Sequence, residues 1–562
     1  MGASSITGTI VSVAPSSLEK IGRENTLTSC AHVIANYIKA AGIEYIFGYP
    51  GDPNIEFMEA ARLQELPFVL GRREGTAGFM AQAYGFITGR PGVAMSTLGP
   101  GSSNLVAAVA SAHLDRVPMI AISGQIDTTR DGLFTHQVLN HNALFSPITK
   151  WAVSIQRSNT GQIMRKALRL SAAERPGPVH ITTPADIVGA ECSDDALVLP
   201  PAAPLSHNLQ VIGTANADAD LAQRLAKARR PVIVTGISAV RANAAGALRR
   251  FAETLGCPVV VSPMAKGILP EDHPYYAGTL DMACNDFVWS FLKSSDLILA
   301  VGFDAVELIK PWRVAVPTIH IDSTPNTDQI YISDTEVVGP IGLALDALAG
   351  RFKGEPRWSE REIAAHRDAL RKLYYTGRVS GPLNPTDVVD AVRAAFPRET
   401  VISCDVGSHK HLIGQGWKAF NPRGVLMTNG LSSMGYSLPA AIVSALLDRS
   451  SRPVCFIGDG SLAMVQSELR LAAALKLNLT VVVLCDESLN RIELKQLVRQ
   501  YPSFGTRIER TDMATLAQSM DCDGIMVDGA VGLEKALAAA PRNGRPLVIG
   551  AIIDPTQYNA HF

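Results

Sequence analysis

Paired cysteines, an excess of either charge and long apolar runs are all missing from this 562-residue chain. Its eight cysteines (30, 192, 257, 284, 404, 455, 485 and 522) form no Cys-x-x-Cys pair. That argues against a structural zinc site and a disulfide framework, and for a reduced, cytoplasmic setting. Lys and Arg number 51 against 52 Asp and Glu, a formal net charge of -1. No nucleic acid or other polyanionic partner is implied by that balance. No apolar run reaches the roughly 20 residues a membrane-spanning helix needs, so no membrane association is expected. Residues 1–27 lack the basic start and apolar stretch of a secretory leader and read as a flexible arm. What is present is 47% hydrophobic and 18% charged residues, a globular balance with ample core. The length suits three or four domains.

Three segments alternate short apolar strands with helical patterns, the signature of parallel sheets covered on both faces. The first, 28–190, opens with a helix capped by Thr28 or Ser29, in which Val33, Ile34, Tyr37 and Ile38 follow helical spacing. Strands EYIFG, PFVLG, GVAMST and MIAIS follow. A Pro- and Ala-rich stretch, 196–207, reads as a linker. The second segment, 205–352, carries PVIVTG, PVVVSP, LILAVG and TIHID, and no Gly-x-Gly-x-x-Gly fingerprint. A charged helical connector (RWSEREIAAHRDALRKLYY) leads to the third, 380–562, with TVISCD, GVLMTN, PVCFIGD, LTVVVLCD and PLVIGAII. The expected fold class is α/β, three doubly wound parallel-sheet domains.

The strongest chemical signal lies in the third segment. PVCFIGD delivers Asp459 to a strand's carboxyl end, between Gly458 and Gly460, where the backbone can approach a ligand closely. A helix over SLAMVQSELRLAAALK begins at once, its first N–H groups free to face an anion. The next strand delivers Asp486. Two carboxylates at neighbouring strand ends suit a hard cation held against phosphate oxygens. A Gly-Asp-Gly on its own is an ordinary turn; the strand–helix–strand context and the 24 residues between Gly460 and Cys485 favour the functional reading. In the first segment, Glu74 opens a helix just after a strand. Taken alone it is a helix-start acid stabilised by the dipole. The loop LGPGSSN, 98–104, is otherwise a Gly-Pro turn.

Together these motifs resemble the thiamine diphosphate (ThDP) enzymes, whose signature is Gly-Asp-Gly, about two dozen residues, then Asn-Asn. FGYPGDPNIEF, THQVLNHNALFSPITKW, VGFDAVE, CDVGSHKH and NGLSSMGYSLPAA extend the likeness over nearly the whole chain. They are similar to acetolactate synthases, especially the catabolic, FAD-free kind, and next to N2-(2-carboxyethyl)arginine synthase. The resemblance implies a pyrimidine-binding, a middle and a diphosphate-binding domain, with the cofactor at the interface of a homodimer or homotetramer. It implies a magnesium ion on Asp459, Asp486 and the Ser488 carbonyl. Pro50, Gly51, Asn104, Gly407, Ser408, His409, Gly458, Gly460, Ser461, Leu489 and Asn490 would contact the cofactor. The Ser432 carbonyl would meet the pyrimidine amino group, and Met434 would wedge between the two rings. Glu74 becomes the carboxylate that shares a proton with the pyrimidine, and His136 and Gln137 fall near the substrate. FAD is not expected. Two departures stand out: Cys485-Asp486 replaces Asn-Asn, as Asp does in some catabolic acetolactate synthases, and Arg73 stands where His is common.

The implied reaction decarboxylates a 2-oxo acid, pyruvate first, and transfers the fragment to a carbonyl acceptor. The alternatives are a carboxyethyl-type transferase to an amine, another ThDP lyase, or a non-catalytic paralogue acting as scaffold or regulatory subunit. Ser488, Leu489, Asn490, Arg491 and Glu493 are expected to line the acceptor pocket. Arg491 and Glu493 make it more polar than is usual in the family.

Overall fold

The computed structural model describes residues 28–194, 197, 221, 223–351, 356–539 and 543–561. The expected arm and most of the expected linker lie outside them. Three six-stranded sheets, all parallel, account for the described strands.

The first sheet holds β1 (Ile46–Tyr49), β2 (Phe68–Leu70), β3 (Gly92–Ser96), β4 (Met119–Gln125), β5 (Trp151–Ser154) and β6 (Pro178–Pro184). Their order is β2-β1-β3-β4-β6-β5. The second holds β7 (Pro231–Thr235), β8 (Val259–Val261), β9 (Tyr276–Thr279), β10 (Leu297–Val301), β11 (Thr318–Asp322) and β12 (Thr335–Val338), in the order β12-β11-β10-β7-β8-β9. The third holds β13 (Ile402–Cys404), β14 (Val425–Leu426), β15 (Val454–Gly458), β16 (Thr480–Cys485), β17 (Asp523–Val527) and β18 (Leu547–Ile552), in the order β14-β13-β15-β16-β18-β17. First and third sheets thus share one topology. The second has the 3-2-1-4-5-6 order of dinucleotide-binding sheets, which its sequence, lacking the glycine fingerprint, does not announce.

Central strands such as β16 are continuous apolar runs because helices bury both of their faces. Every strand read from sequence is present. β5, β6, β9, β12 and β17 were not read, being amphipathic, at sheet edges, or preceded by Gly-Pro. Ser29 caps the helix Cys30–Ala40, accepting from His32 N–H. The connector helix Glu360–Tyr374 starts on a Ser359–Glu362 capping box. The helix expected over 461–476 is instead two, Asp459–Val465 and Glu468–Ala474, broken at Gln466–Ser467. The break turns Glu468, fully buried, onto the first domain. It accepts from Arg72 N–H at 2.7 Å and the Thr76 hydroxyl at 2.5 Å.

First and third domains share one hydrophobic core. Helix Glu74–Thr88 packs on helix Ser437–Leu447, with Phe79 edge-on to Tyr436 at 6.0 Å. Buried Asp115 completes the joint, accepting from Asn429 N–H (3.0 Å) and Gly430 N–H (2.7 Å). Two further apolar clusters lie within the middle domain and its connector.

Candidate active site: two half-sites at sheet ends

In parallel α/β sheets, ligands sit beyond the carboxyl ends of the strands. The predicted residues gather there in two groups, one per outer sheet.

The first group follows β1, β2 and β3. Glu74, only 9% exposed, accepts from Asn104 Nδ2 at 3.1 Å. The loop 98–104 reaches it because its glycines leave room. A Cβ on Gly101 would lie 3.3 Å from Glu74 Oε1 and 2.7 Å from Thr97 Cγ2. Gly51, after Pro50 at the end of β1, lies against the same Thr97, whose Cβ would be 2.7 Å from a Cβ on Gly51. Gly51 N–H is held by Asn54 Oδ1 at 3.0 Å. Gln137 joins this group through its backbone, 3.0 Å (Cα) from a Cβ built on Gly99. Both residues have positive φ, 59° and 51°, so a side chain at 99 is excluded twice over. His136 and the Gln137 side chain are exposed in the single chain.

The second group follows β13, β15 and β16. Asp459 accepts from the backbone N–H groups of Gly460 (2.8 Å), Asp486 (3.2 Å) and Glu487 (2.8 Å), so the two aspartates lie side by side. Burial first, and then the Asp459 charge, pushes the Asp486 carboxyl up to about 8; burial also raises Asp459. Two crowded carboxylates with raised proton affinity are what a divalent cation would relieve. Gly407 and Gly458 both face the ring of His409: a Cβ built on Gly458 would lie 3.3 Å from it. His409 is held neutral by burial, down to about 4, and its buried Nε2 has no partner among the described residues. Ser408 Oγ donates to Asn490 Oδ1 at 2.7 Å, tying the 407–409 turn to the loop after β16. A Cβ on Gly460 would touch Leu489 (3.1 Å) and Met434 Cε (3.9 Å). The Ser432 backbone is left-handed, φ 53°, and its hydroxyl donates to Asn429 O at 2.9 Å. Ser461 Oγ donates to Val406 O at 3.4 Å. Ser488 Oγ donates to Glu493 at 2.6 Å. Glu493 is buried, bound to Ser488 and paired with Arg507 at 2.8 Å. Arg491 lines a cavity.

Asp405 was missed. Fully buried at the end of β13, it accepts from Val406 N–H (2.8 Å), Gly435 N–H (3.0 Å), Ser437 N–H (3.0 Å) and the Ser437 hydroxyl (2.9 Å). It holds the 432–437 turn, with Met434, against the 407–409 turn. Its only sequence signal is an acid closing an apolar strand. Lys410 was also missed: burial lowers it to about 8, and it donates to Thr428 O and Asn429 Oδ1.

The helix opened by Glu74 meets the third domain through Thr76, bonded to Glu468, and through its packing on helix Ser437–Leu447.

Family models match in three consecutive pieces. The thiamine pyrophosphate enzyme N-terminal TPP binding domain covers residues 28–144, the central domain 219–348, and the C-terminal TPP binding domain 405–551. The chain belongs to the thiamine pyrophosphate enzymes. It is similar to the catabolic acetolactate synthase of Raoultella terrigena, 27% identical over 96% of this chain and 97% of the relative. The acetolactate synthase of Bacillus subtilis (strain 168) is 27% identical over 93% of each. The large subunit of acetolactate synthase isozyme 1 of Escherichia coli (strain K12) is 29% identical over 83% of each. This thiamine pyrophosphate enzyme is thus acetolactate synthase-like over its full described architecture. Both half-sites fall on its TPP-binding domains. All eight of its cysteines are free, and no described helix is long and apolar enough to cross a membrane.

Proposed function

We propose that the protein decarboxylates a 2-oxo acid, pyruvate first, and joins the remaining fragment to an acceptor carbonyl. One carbon–carbon bond breaks to release carbon dioxide; one forms to the acceptor carbon, whose oxygen takes up a proton. The observation carrying this reading is the paired set of half-sites. One presents a lone buried carboxylate, Glu74, and the other two adjoining carboxylates, Asp459 and Asp486.

The residues fit ThDP with magnesium. Asp459, Asp486 and the Ser488 carbonyl would hold the ion. The 407–409 turn, Gly458, Gly460, Ser461, Leu489 and Asn490 would hold the diphosphate, with orphaned His409 Nε2 as one contact. Pro50, Gly51, Asn104, Ser432 and Met434 would surround the rings. When bound, ThDP supplies the carbanion equivalent and the electron sink for decarboxylation. Glu74 holds a proton on the pyrimidine, and Asn104, bonded to the same carboxylate, fixes its orientation. His136 and Gln137 face the substrate. Both half-sites are carried by every chain, and the resemblance to acetolactate synthases supports a working site that joins the first domain of one subunit to the third domain of its partner, in a homodimer or homotetramer acting in the cytoplasm. We place the domains at 28–190, 205–352 and 380–562.

The middle domain works without FAD. Glu307 occupies the start of helix Ile237–Arg241, where this strand order would seat a dinucleotide phosphate. It accepts from Ile237 N–H at 2.9 Å, from Asp304 N–H at 3.2 Å and from the Ser262 hydroxyl. A purified protein with a flavin absorbance band would contradict this.

Glu74→Gln tests the reading. The variant should keep its thermal shift with ThDP and magnesium while carbon dioxide release from pyruvate falls by about 10²–10⁴-fold, the usual worth of a positioned proton-transfer group. Wild-type release by the variant would refute it.

A further inference from the structure

A cavity of about 770 Å3 opens between the middle and third domains, lined by none of the half-site carboxylates but bordered by the helix that follows the Asp486–Ser488 loop. Its walls are the start of helix Asn285–Lys293, the segment at Lys310, helix Asn490–Val498 and the C-terminal turn. Four strong cations line it: Lys310, Arg491, Lys495 and Arg499. Arg491, Lys495 and Arg499 recur every four residues, one face of a helical segment.

The lining carboxylates do not neutralise them. Only Asp281 and Asp286 reach the cavity, and Asp281 is already engaged. It accepts from Trp289 Nε1 (3.1 Å) and from the backbone N–H groups of Ile309 (2.8 Å) and Lys310 (3.1 Å). Those bonds pin Lys310 in the wall. Among the described residues, Lys310, Lys495 and Arg499 make no ion pair and no side-chain hydrogen bond. The rest of the lining is partly apolar, with Met282, Phe287, Leu494 and Val498.

The cavity also shares walls with the diphosphate half-site. Arg491 follows Asn490, the partner of Ser408. His411, in the lining, stands two residues beyond His409 on one helix. The loop carrying Asp486 and Ser488 runs straight into the helix that supplies Arg491 and Lys495 and is capped by Arg499.

We propose that this cavity seats the acceptor substrate, and that the acceptor carries a dianionic group, a phosphate ester or a second carboxylate, on a short carbon body. A single carboxylate such as that of pyruvate needs one cation. Three unpaired cations and an arginine around one space answer a group of higher charge, with the Arg fork adding paired hydrogen bonds. The volume lies within the range of small-molecule pockets. This inference rests on the ThDP reading for its chemistry, not for its binding.

The test has two independent parts, both on the full-length protein. Binding is read by calorimetry without cofactor, using unreactive probes: glycerol 3-phosphate against glycerol, and glutarate against butyrate. Each dianion should bind at least tenfold more tightly than its match, and the preferred dianion says whether phosphate or carboxylate is the group. Lys495→Ala with Arg499→Ala should erase that preference, Lys495→Arg should keep it, and Lys310→Ala should weaken it. These positions are exposed, so unfolding temperatures should hold. Turnover is then read with ThDP, magnesium and pyruvate. 2-Oxoglutarate should show a KM at least tenfold below that of 2-oxobutyrate, or glycolaldehyde phosphate below glycolaldehyde, and only the dianion's KM should rise in the double variant. Equal binding within both probe pairs, or an unchanged preference in the double variant, would overturn the inference. Absence of carbon dioxide release from pyruvate alone would strike the ThDP reading and leave the binding result standing.

Discussion

Glu307 is a carboxyl group with almost no access to water, 1% exposed, placed by the fold rather than by its neighbours in sequence. Burial outweighs its three hydrogen-bond donors and lifts it from an ordinary 4.5 to about 8. The unfolded chain ionises this group near 4.5, so between 4.5 and 8 the folded state binds the extra proton. The stabilisation this supplies is complete below 4.5, declines as pH rises, and is gone above about 8. One power of ten in proton affinity is worth about 1.4 kcal/mol, so the span from pH 5 to 8 is worth about 4 kcal/mol at most. Glu307→Gln reproduces the protonated form. Its carbonyl can accept from Ile237 and Asp304 N–H while its amide donates to Ser262. The variant should match the wild type near pH 5 and exceed it by about 2–4 kcal/mol at pH 8. Urea unfolding followed by fluorescence reads this directly, since Trp289 and Trp312 pack edge to face at 5.5 Å in the same domain. Parallel stability curves for the two proteins from pH 5 to 8 would refute the reasoning.

Gly51→Ala should drive a Cβ into Thr97, cost about 1–3 kcal/mol as overpacking, and lower carbon dioxide release by displacing the 98–104 loop from Glu74. Unfolding and turnover measured together check both effects. Chelation of magnesium should remove the thermal stabilisation given by ThDP, about 2.7 kcal/mol at a hundred times Kd, and readdition should restore it. Asp405→Ala leaves buried N–H groups of Val406, Gly435 and Ser437 without their acceptor. It should cost at least about 3 kcal/mol and raise hydrogen exchange over 433–437.

Much of the outer domains was legible because their signals are local. The β16 run and the Gly-Asp-Gly turn after β15 combine apolar continuity with glycine at a sharp exit, and neither depends on distant residues. The helix break at Gln466–Ser467 was not legible. Leu469, Leu471 and Ala472 continue an apolar helical pattern, and only the pull of Glu468 onto Arg72 and Thr76, nearly 400 residues away in sequence, turns the chain. The partners of Glu493 were not legible either: its bonds to Ser488 and to Arg507, fourteen residues on, depend on how the loop after the helix folds back.

By itself, then, the sequence determined the class of every domain, the strands that build the outer sheets' centres, and the acids presented at their carboxyl ends. Hydrophobic period and turn chemistry act within a few residues, and that is the range a sequence displays. The tertiary structure alone decided the strand orders, the carboxylate of Glu307 lodged in a helix start, the four-donor grip of Asp405 and the cluster of cations around one cavity. Each of these joins residues far apart in the chain, where the deciding term is burial and pairing in space, and no local pattern carries it.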